Sequence, residues 1–178
     1  MTSSSVATIA FGGNQGGYDV VAGRFRQALV VLVDTLAARS WRCSRIFVSS
    51  PVGLVTDQPD FVNAVVSFTM PLAPSPQTTL DSLLVIEKEL GRDRSPQPRD
   101  GPRAIDLDFI ALDEVIVSSK QLILPHPRAY RRAFVLLPLV DLYGEHYCLP
   151  GDTQPIGQRL ATALTNGQRI EPVAALTL

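Results

Sequence analysis

The sequence predicts a single α+β domain spanning residues 1–178, on three observations. Short runs that are apolar throughout, or that alternate with period two, recur at residues 6–11, 41–49, 61–68 and 105–112. They read as strands, because successive side chains of a strand face opposite ways. Two longer stretches, 20–38 and 75–90, return apolar residues every three or four positions, the period of a helix with one buried stripe. A chain of 178 residues, 46 % of them hydrophobic, is long and apolar enough to bury one sizeable core.

The first strand, from Val6 to Phe11, suits a buried central position and ends in Gly12-Gly13-Asn14-Gln15-Gly16-Gly17. That turn is either a phosphate cradle or a plain turn, since it has neither the Gly-x-Gly-x-x-Gly spacing nor the Gly-Lys-Ser/Thr ending. The helix from Val20 to Ala38 follows, with Val21, Phe25, Ala28, Leu29, Leu32, Val33 and Leu36 on its apolar face. Trp41 to Ser49 reads as one strand, rich in β-branched and aromatic residues. Residues 50–60 form a long connection with Pro51 and Pro59 near its ends, and long ordered loops in a compact domain are more often functional than idle.

Phe61 to Phe68 resumes strand character, with Asn63 the odd residue in an apolar run. A buried Asn must satisfy its amide, so Asn63 either ties down the preceding loop or reads the edge of a heterocycle. Ser75-Pro76 is a helix-start signal; Leu80, Leu83, Leu84, Glu87 and Leu90 continue the period until Gly91 stops it. Residues 92–100 are polar, contain Pro96 and Pro98 and lack a core anchor. This predicts a mobile loop whose Arg92, Arg94 and Arg99 serve either as a lid over phosphates or as a solvated surface. Beyond Leu112, Asp113-Glu114 reads as a tight turn into Val115-Ile116-Val117, followed by Leu122 to Leu124. Phe134 to Leu142 reads as a short buried helix, Ile156 to Leu164 as another, and the remainder as a weakly specified tail.

The chemistry centres on Asp100-Gly101-Pro102-Arg103-Ala104-Ile105-Asp106-Leu107-Asp108-Phe109-Ile110-Ala111-Leu112. Alternation after Pro102 turns Ile105, Leu107, Phe109 and Ala111 one way and Asp106 and Asp108 the other. Side chains two apart on a strand are roughly 6.5–7 Å apart at Cα, so both carboxylates can serve one hard cation or a pair of them. Arg103 enters the same strand, and its planar fork suits a pair of phosphate oxygens. An Asp-x-Asp pair by itself equally describes the wet side of an edge strand. The Gly-Pro entrance, the adjacent Arg and the downstream Pro125-His126-Pro127 followed by Arg131-Arg132 favour a magnesium-nucleotide site. His126 is either structural or a phosphate donor held in its proline frame.

A net charge of −1 argues against a broad nucleic-acid footprint. Charge is local: 14 of the 16 cations are Arg, and those from Arg92 to Arg132 cluster around the candidate site, through either base composition or phosphate recognition. The first residues have no basic and apolar pattern of a signal peptide, and no run approaches the roughly 18 apolar residues of a membrane span. Cys43 and Cys148 have neither metal-ligand nor Cys-x-x-Cys spacing. A cytoplasmic protein with free thiols is expected.

The order Phe61-x-Asn63-Ala64, Gly91-Arg92-x-Arg94, Gly101-Pro102-Arg103-x-x-Asp106-Leu107-Asp108, Pro125-His126 and Arg132-x-Phe134 resembles the 6-hydroxymethyl-7,8-dihydropterin pyrophosphokinases of folate synthesis. The similarity runs from about Ile9 to Leu142. It implies a ferredoxin-like αβα sandwich with a mostly antiparallel sheet, and transfer of pyrophosphate from ATP to the hydroxyl of a reduced pterin with release of AMP. It implies that Asp106 and Asp108 hold two Mg²⁺ ions and that Arg92, Arg94, Asp106 and Asp108 are catalytic. ATP would be held by Glu87, Arg94, Arg103, His126 and Arg132, and the pterin by Ser50, Pro51, Gly53, Phe61, Asn63 and Phe134, the two rings sandwiching it.

The chain departs from the family pattern in four places. Asp100 stands where a Trp precedes Gly-Pro-Arg, Pro96 and Pro98 stiffen the loop, Pro127 replaces an aromatic residue, and Gly12-Gly13-Asn14 replaces Gly-Ser-Asn. A pterin- or nucleotide-binding paralogue with little turnover, or a kinase for a related pterin, is the alternative. An RNA-binding module is disfavoured, since the strands lack interleaved aromatic residues. Small-molecule substrates, no nucleic acid, no membrane and a monomer are expected.

Overall fold

The computed structural model describes residues 4–53, 55–94, 100–165 and 167–176. Pro96, Pro98 and Arg99 of the expected lid lie outside them. The chain runs β1 (Ser5–Gly13), α1 (Tyr18–Thr35), β2 (Ser40–Cys43), β3 (Arg45–Ser49), β4 (Phe61–Met70), α2 (Pro76–Glu89), β5 (Asp106–Leu112), β6 (Val117–Ser118), β7 (Ile123–Leu124), α3 (Ala133–Tyr143), α4 (Ile156–Leu164) and β8 (Ile170–Ala175). The main sheet has the order β5-β1-β4-β3-β8, with β2 also paired to β4, and every pairing is antiparallel.

Each face of the sheet carries a helix pair, which makes the expected αβα sandwich. On one face Val21, Phe25, Leu29 and Leu32 of α1 and Leu83 and Ile86 of α2 meet Ile9, Phe11, Phe68, Leu107 and Phe109. On the other, Leu136 and Leu139 of α3 and Ile156 and Leu160 of α4 meet Ala10, Val65 and Ile110. A strand covered on both sides has no wet face, which is why β1 and β4 are nearly continuous apolar runs. Ser75 caps α2 as expected, its Oγ accepting from the Thr78 N–H at 3.0 Å, with Pro76 in the first turn. Helix α1 stops at Thr35, short of the predicted Ala38. Ala37 turns left-handed at φ 48°, and the N–H groups of Ala37 and Ala38 close on the carbonyls of Asp34 and Val33.

Three expectations are corrected. Trp41 to Ser49 is two strands, because the register against β4 slips by one residue between them. At the break, Ser44 accepts the Val65 N–H on its Oγ and donates its own N–H to the Val65 carbonyl. The central strand starts at Asp106, not just after Pro102. The Arg103 carbonyl is taken by the N–H groups of Asn14 and Gln15, which holds that segment across the end of β1. Nor does Ala111 share a face with Ile105, Leu107 and Phe109. A bulge in the β1–β5 ladder inserts Ile110 and turns both Ile110 and Ala111 towards α3. The tail is better specified than its sequence suggests: β8 joins the sheet through backbone pairing with β3, although most of its side chains are exposed. Among the described residues, no helix is long and apolar enough to cross a membrane.

Candidate active site

Asp106 and Asp108 pair in register with Gly12 and Ala10, so both carboxylates open onto the α3 face of the sheet. Gly12 faces Asp106 closely, and a Cβ there would lie 3.7 Å from the Asp106 Cβ, an ordinary contact. Because β5 is the edge strand, its outward backbone groups need partners, and candidate site residues supply them. The Leu107 N–H donates to Glu87 Oε1 at 2.8 Å, the Arg92 guanidinium donates to the Ile105 carbonyl at 2.8 Å, and the His126 N–H donates to the Ile110 carbonyl at 2.8 Å. Sealing the edge and aiming these side chains are thus one structural act.

The charges then interlock. Asp106 accepts Arg103 at 2.5 Å and pairs with Arg92 at 3.0 Å. Asp108 has looser company, with His126 Nε2 and Arg132 each 3.8 Å away, and Arg132 also lies 3.8 Å from Asp100. Burial, with the Asp106 charge next, pushes the Asp108 carboxyl up to about 6, against the pull of Arg132, Arg103 and Arg92. The His126 imidazole is lowered by burial and then by Arg132, while its Nδ1 accepts the Arg128 N–H at 3.3 Å, which leaves the proton on the Nε2 facing Asp108. Glu87 is 2 % exposed and has both oxygens engaged, one by Leu107 and the other by Arg94. Burial raises its pKa, and the Leu107 N–H and Arg94 pull the other way.

These groups stand at one end of a cavity of about 410 Å³. Its wall includes Asp100, Arg103, Asp106, Asp108 and Arg132 on the charged side and Ser50, Gly53, Phe61, Asn63 and Phe134 on the other. Arg103 lies 5.2 Å over the Phe61 ring and Arg132 5.3 Å over the Phe134 ring, so each ring is tied to the charged cluster by a guanidinium on its face. Asn63 donates its amide to Ser49 Oγ at 3.0 Å and to the Phe61 carbonyl at 3.3 Å, so it ties the strand ends while standing in the wall. Gly53, at φ 118°, lets the loop pass close to Asp100, whose carboxylate a Cβ would approach to 3.1 Å.

The structure thus brings together all the candidate residues except Pro51, which is half-buried beside Ser50 and does not line the cavity. Glu87, Arg92, Arg94 and His126 stand behind the wall, acting on β5 and the two aspartates. Arg92 is 15 % exposed and already docked on Asp106, whereas Arg94 is 59 % exposed. Sequence reading missed Asn14 and Gln58. Fully buried, Asn14 donates to Gln58 Oε1 and to the Pro59 carbonyl, both at 3.0 Å, and accepts the Arg103 N–H at 2.8 Å. Gln58 in turn donates to the Asp100 carbonyl at 2.9 Å. The polar pair interrupting the glycine-rich turn was the signal available for Asn14; none existed for Gln58. Arg128 and Gln168, also in the wall, were missed as well.

Two hard oxygen donors suit Mg²⁺. Among the described residues no group of three or more His, Cys, Asp or Glu side chains is arranged to enclose a metal, so an ion here would complete its shell with phosphate and water.

Residues 8–144 match the family model described as 7,8-dihydro-6-hydroxymethylpterin-pyrophosphokinase. The chain belongs to this pyrophosphokinase family. It is 37 % identical over 139 residues to the 2-amino-4-hydroxy-6-hydroxymethyldihydropteridine pyrophosphokinase of Bacillus subtilis, covering 78 % of each chain. It is 38 % identical over 143 residues to a folate synthesis bifunctional protein of Arabidopsis thaliana, covering 80 % of this chain but 28 % of that protein. The fold matches a Plasmodium falciparum HPPK-DHPS crystal structure with a TM-score of 0.68 at 12 % identity, over 93 % of this chain and 42 % of that one. The pyrophosphokinase-family match includes the strands and helices that carry Asn63, Glu87, Asp106, Asp108 and Phe134.

Glu87 offers a test of how β5 is held. Glu87→Ala leaves the Leu107 N–H without its acceptor in a dry setting and frees Arg94, so stability should fall by about 2 kcal/mol in urea unfolding. A change within about 0.5 kcal/mol would mean that the edge finds another acceptor.

Proposed function

We propose that this protein is a 6-hydroxymethyl-7,8-dihydropterin pyrophosphokinase, transferring the pyrophosphoryl group of ATP to the pterin hydroxymethyl group and releasing AMP in folate biosynthesis. The observation that carries this reading is one cavity with paired carboxylates and arginines at one end and two phenylalanines at the other. Family membership and the named Bacillus relative support it.

In the reaction the pterin hydroxyl oxygen forms a bond to the β-phosphorus of ATP, the bond from that phosphorus to the oxygen bridging to the α-phosphate breaks, and the hydroxyl proton is lost. The chain supplies position and charge, which is most of what phosphoryl-type transfer needs. Asp106 and Asp108 are the residues that would hold two Mg²⁺ ions, whose positive charge would neutralise the phosphates and favour ionisation of the hydroxyl. Arg103 and Arg132 grip phosphate oxygens, His126 donates from Nε2, and Glu87 holds Arg94 where it can turn from the carboxylate to a phosphate. Phe61 and Phe134 sandwich the pterin, and Asn63, with Ser50 and Gly53, reads its edge. Nothing in this scheme needs a second domain, a nucleic acid, a membrane or another subunit. We take it to act on small molecules as a cytoplasmic monomer.

AMP formation from ATP, with and without 6-hydroxymethyl-7,8-dihydropterin, tests the assignment. Pterin-dependent AMP is expected; AMP formation that ignores the pterin would exclude it. Arg92→Ala should lower kcat by about a hundredfold with the pterin KM within about threefold, because Arg92 orients Asp106 from behind the wall and stands away from the heterocycle. Equal losses in both would remove it from the transition state.

A further inference from the structure

The family match ends at residue 144, yet Gln168 stands in the cavity wall. It comes from the short stretch between α4 and β8, where Gly167, at φ 76°, turns the chain back towards the sheet. That stretch fastens the 50–60 loop at both ends. At the near end the Ser50 N–H donates to the Arg169 carbonyl at 2.9 Å, the Arg169 N–H donates to Ser50 Oγ at 3.2 Å, and Gln168 Nε2 donates to the Ser50 carbonyl at 3.0 Å. At the far end the Arg169 guanidinium pairs with the Asp60 carboxylate. The β3–β8 ladder, with Ile170 opposite Ser49, holds the stretch in register.

We propose that residues 167–169 are a working part of the substrate site, with Gln168 a specificity-determining residue for the heterocycle. This deepens the pyrophosphokinase reading and rests on it. Asn14 and Gln58 fasten the 50–60 loop towards Arg103 and Asp100, the phosphate side. Gln168 fastens the same loop at Ser50, on the side where Ser50 and Gly53 meet the pterin slot, while Arg169 holds both Ser50 and Asp60. Gln168 Nε2 is bonded to the Ser50 carbonyl, so Gln168 discriminates ring systems through the slot it shapes, by fixing where Ser50 stands in the wall. A residue that shapes one substrate's slot and does not touch the other should act on one KM alone.

The experiment combines kinetics with hydrogen exchange on the full chain. Gln168→Ala should raise the KM for 6-hydroxymethyl-7,8-dihydropterin about fivefold, leaving kcat and the ATP KM within about twofold, and Gln168→Asn should restore part of the loss. A pterin KM that does not move, or an ATP KM that rises in step with it, overturns the proposal. Exchange at the Ser50 amide, read without any substrate, should accelerate about tenfold in Arg169→Ala relative to the amides of α1, because the acceptor of that N–H loses its anchor. Unchanged exchange also overturns the clamp. If the unaltered protein makes no pterin-dependent AMP, the pyrophosphokinase reading fails and the specificity role fails with it, while the exchange result still decides the clamp.

Discussion

Asp108→Asn should lower turnover by roughly a thousandfold and leave the fold and pterin binding in place. The two carboxylates are unequal in this structure. Asp106 is fully engaged, bonded to Arg103 at 2.5 Å and paired with Arg92 at 3.0 Å, so its charge already serves to orient those arginines. Asp108 is 29 % exposed, its nearest cations stand back at 3.8 Å, and burial together with its neighbour's charge destabilises its anion. Its oxygens are therefore the less committed of the two pairs and can meet a cation without first giving up a close arginine. Asparagine keeps the shape and one oxygen but removes the charge, and as the lost like-charge repulsion is unfavourable in the folded state, stability should hold or rise. AMP release, circular dichroism and calorimetric pterin binding together check this. Turnover within tenfold of the unaltered protein would show that the charge at this position is not what the reaction uses.

Asn14→Ala carries the second large effect, on stability and substrate affinity at once. Its side chain joins β1 to the end of the 50–60 loop, through Gln58 and Pro59, and to the Gly-Pro-Arg turn, through the Arg103 N–H. Alanine leaves the Pro59 carbonyl and the Arg103 N–H without this partner at a position of zero exposure. A loss of about 3 kcal/mol is expected, lowering Tm by roughly 6–12 °C for a chain of this size. Since Arg103 also covers the Phe61 ring and bonds Asp106, the KM values for pterin and ATP should rise together. This sets Asn14 apart from Gln168. Asn14→Asp keeps the acceptor for Arg103 but not the donors to Gln58 and Pro59, and should rescue only in part. Thermal unfolding within about 2 °C of the unaltered protein would show that the three segments do not depend on this amide.

Most of the elements and the heart of the site were legible in the residues. Ser75-Pro76 announced α2 because its capping chemistry is local, and the apolar stripe of α1 announced a helix because helical period depends on near neighbours alone. The shared face of Asp106 and Asp108 was legible for the same reason, being a consequence of strand period over three residues. Ala111 was misplaced because a bulge arises from how two strands meet, and β1 leaves no mark of it in the sequence of β5. The strand β8 escaped because an edge strand with exposed side chains is held by backbone pairing, which composition does not record.

The sequence by itself therefore determined the local periods, the caps and the motif that places two carboxylates and two aromatic rings in one family pattern. Only the tertiary structure decided what binds those pieces into a site: Asn14 and Gln58 on one side of the 50–60 loop, and Gln168 and Arg169 on the other. The physical reason is distance along the chain. Residues 44 and 118 positions apart meet through single hydrogen bonds whose partners are chosen by the packed sheet, and no pattern of neighbours encodes such a choice.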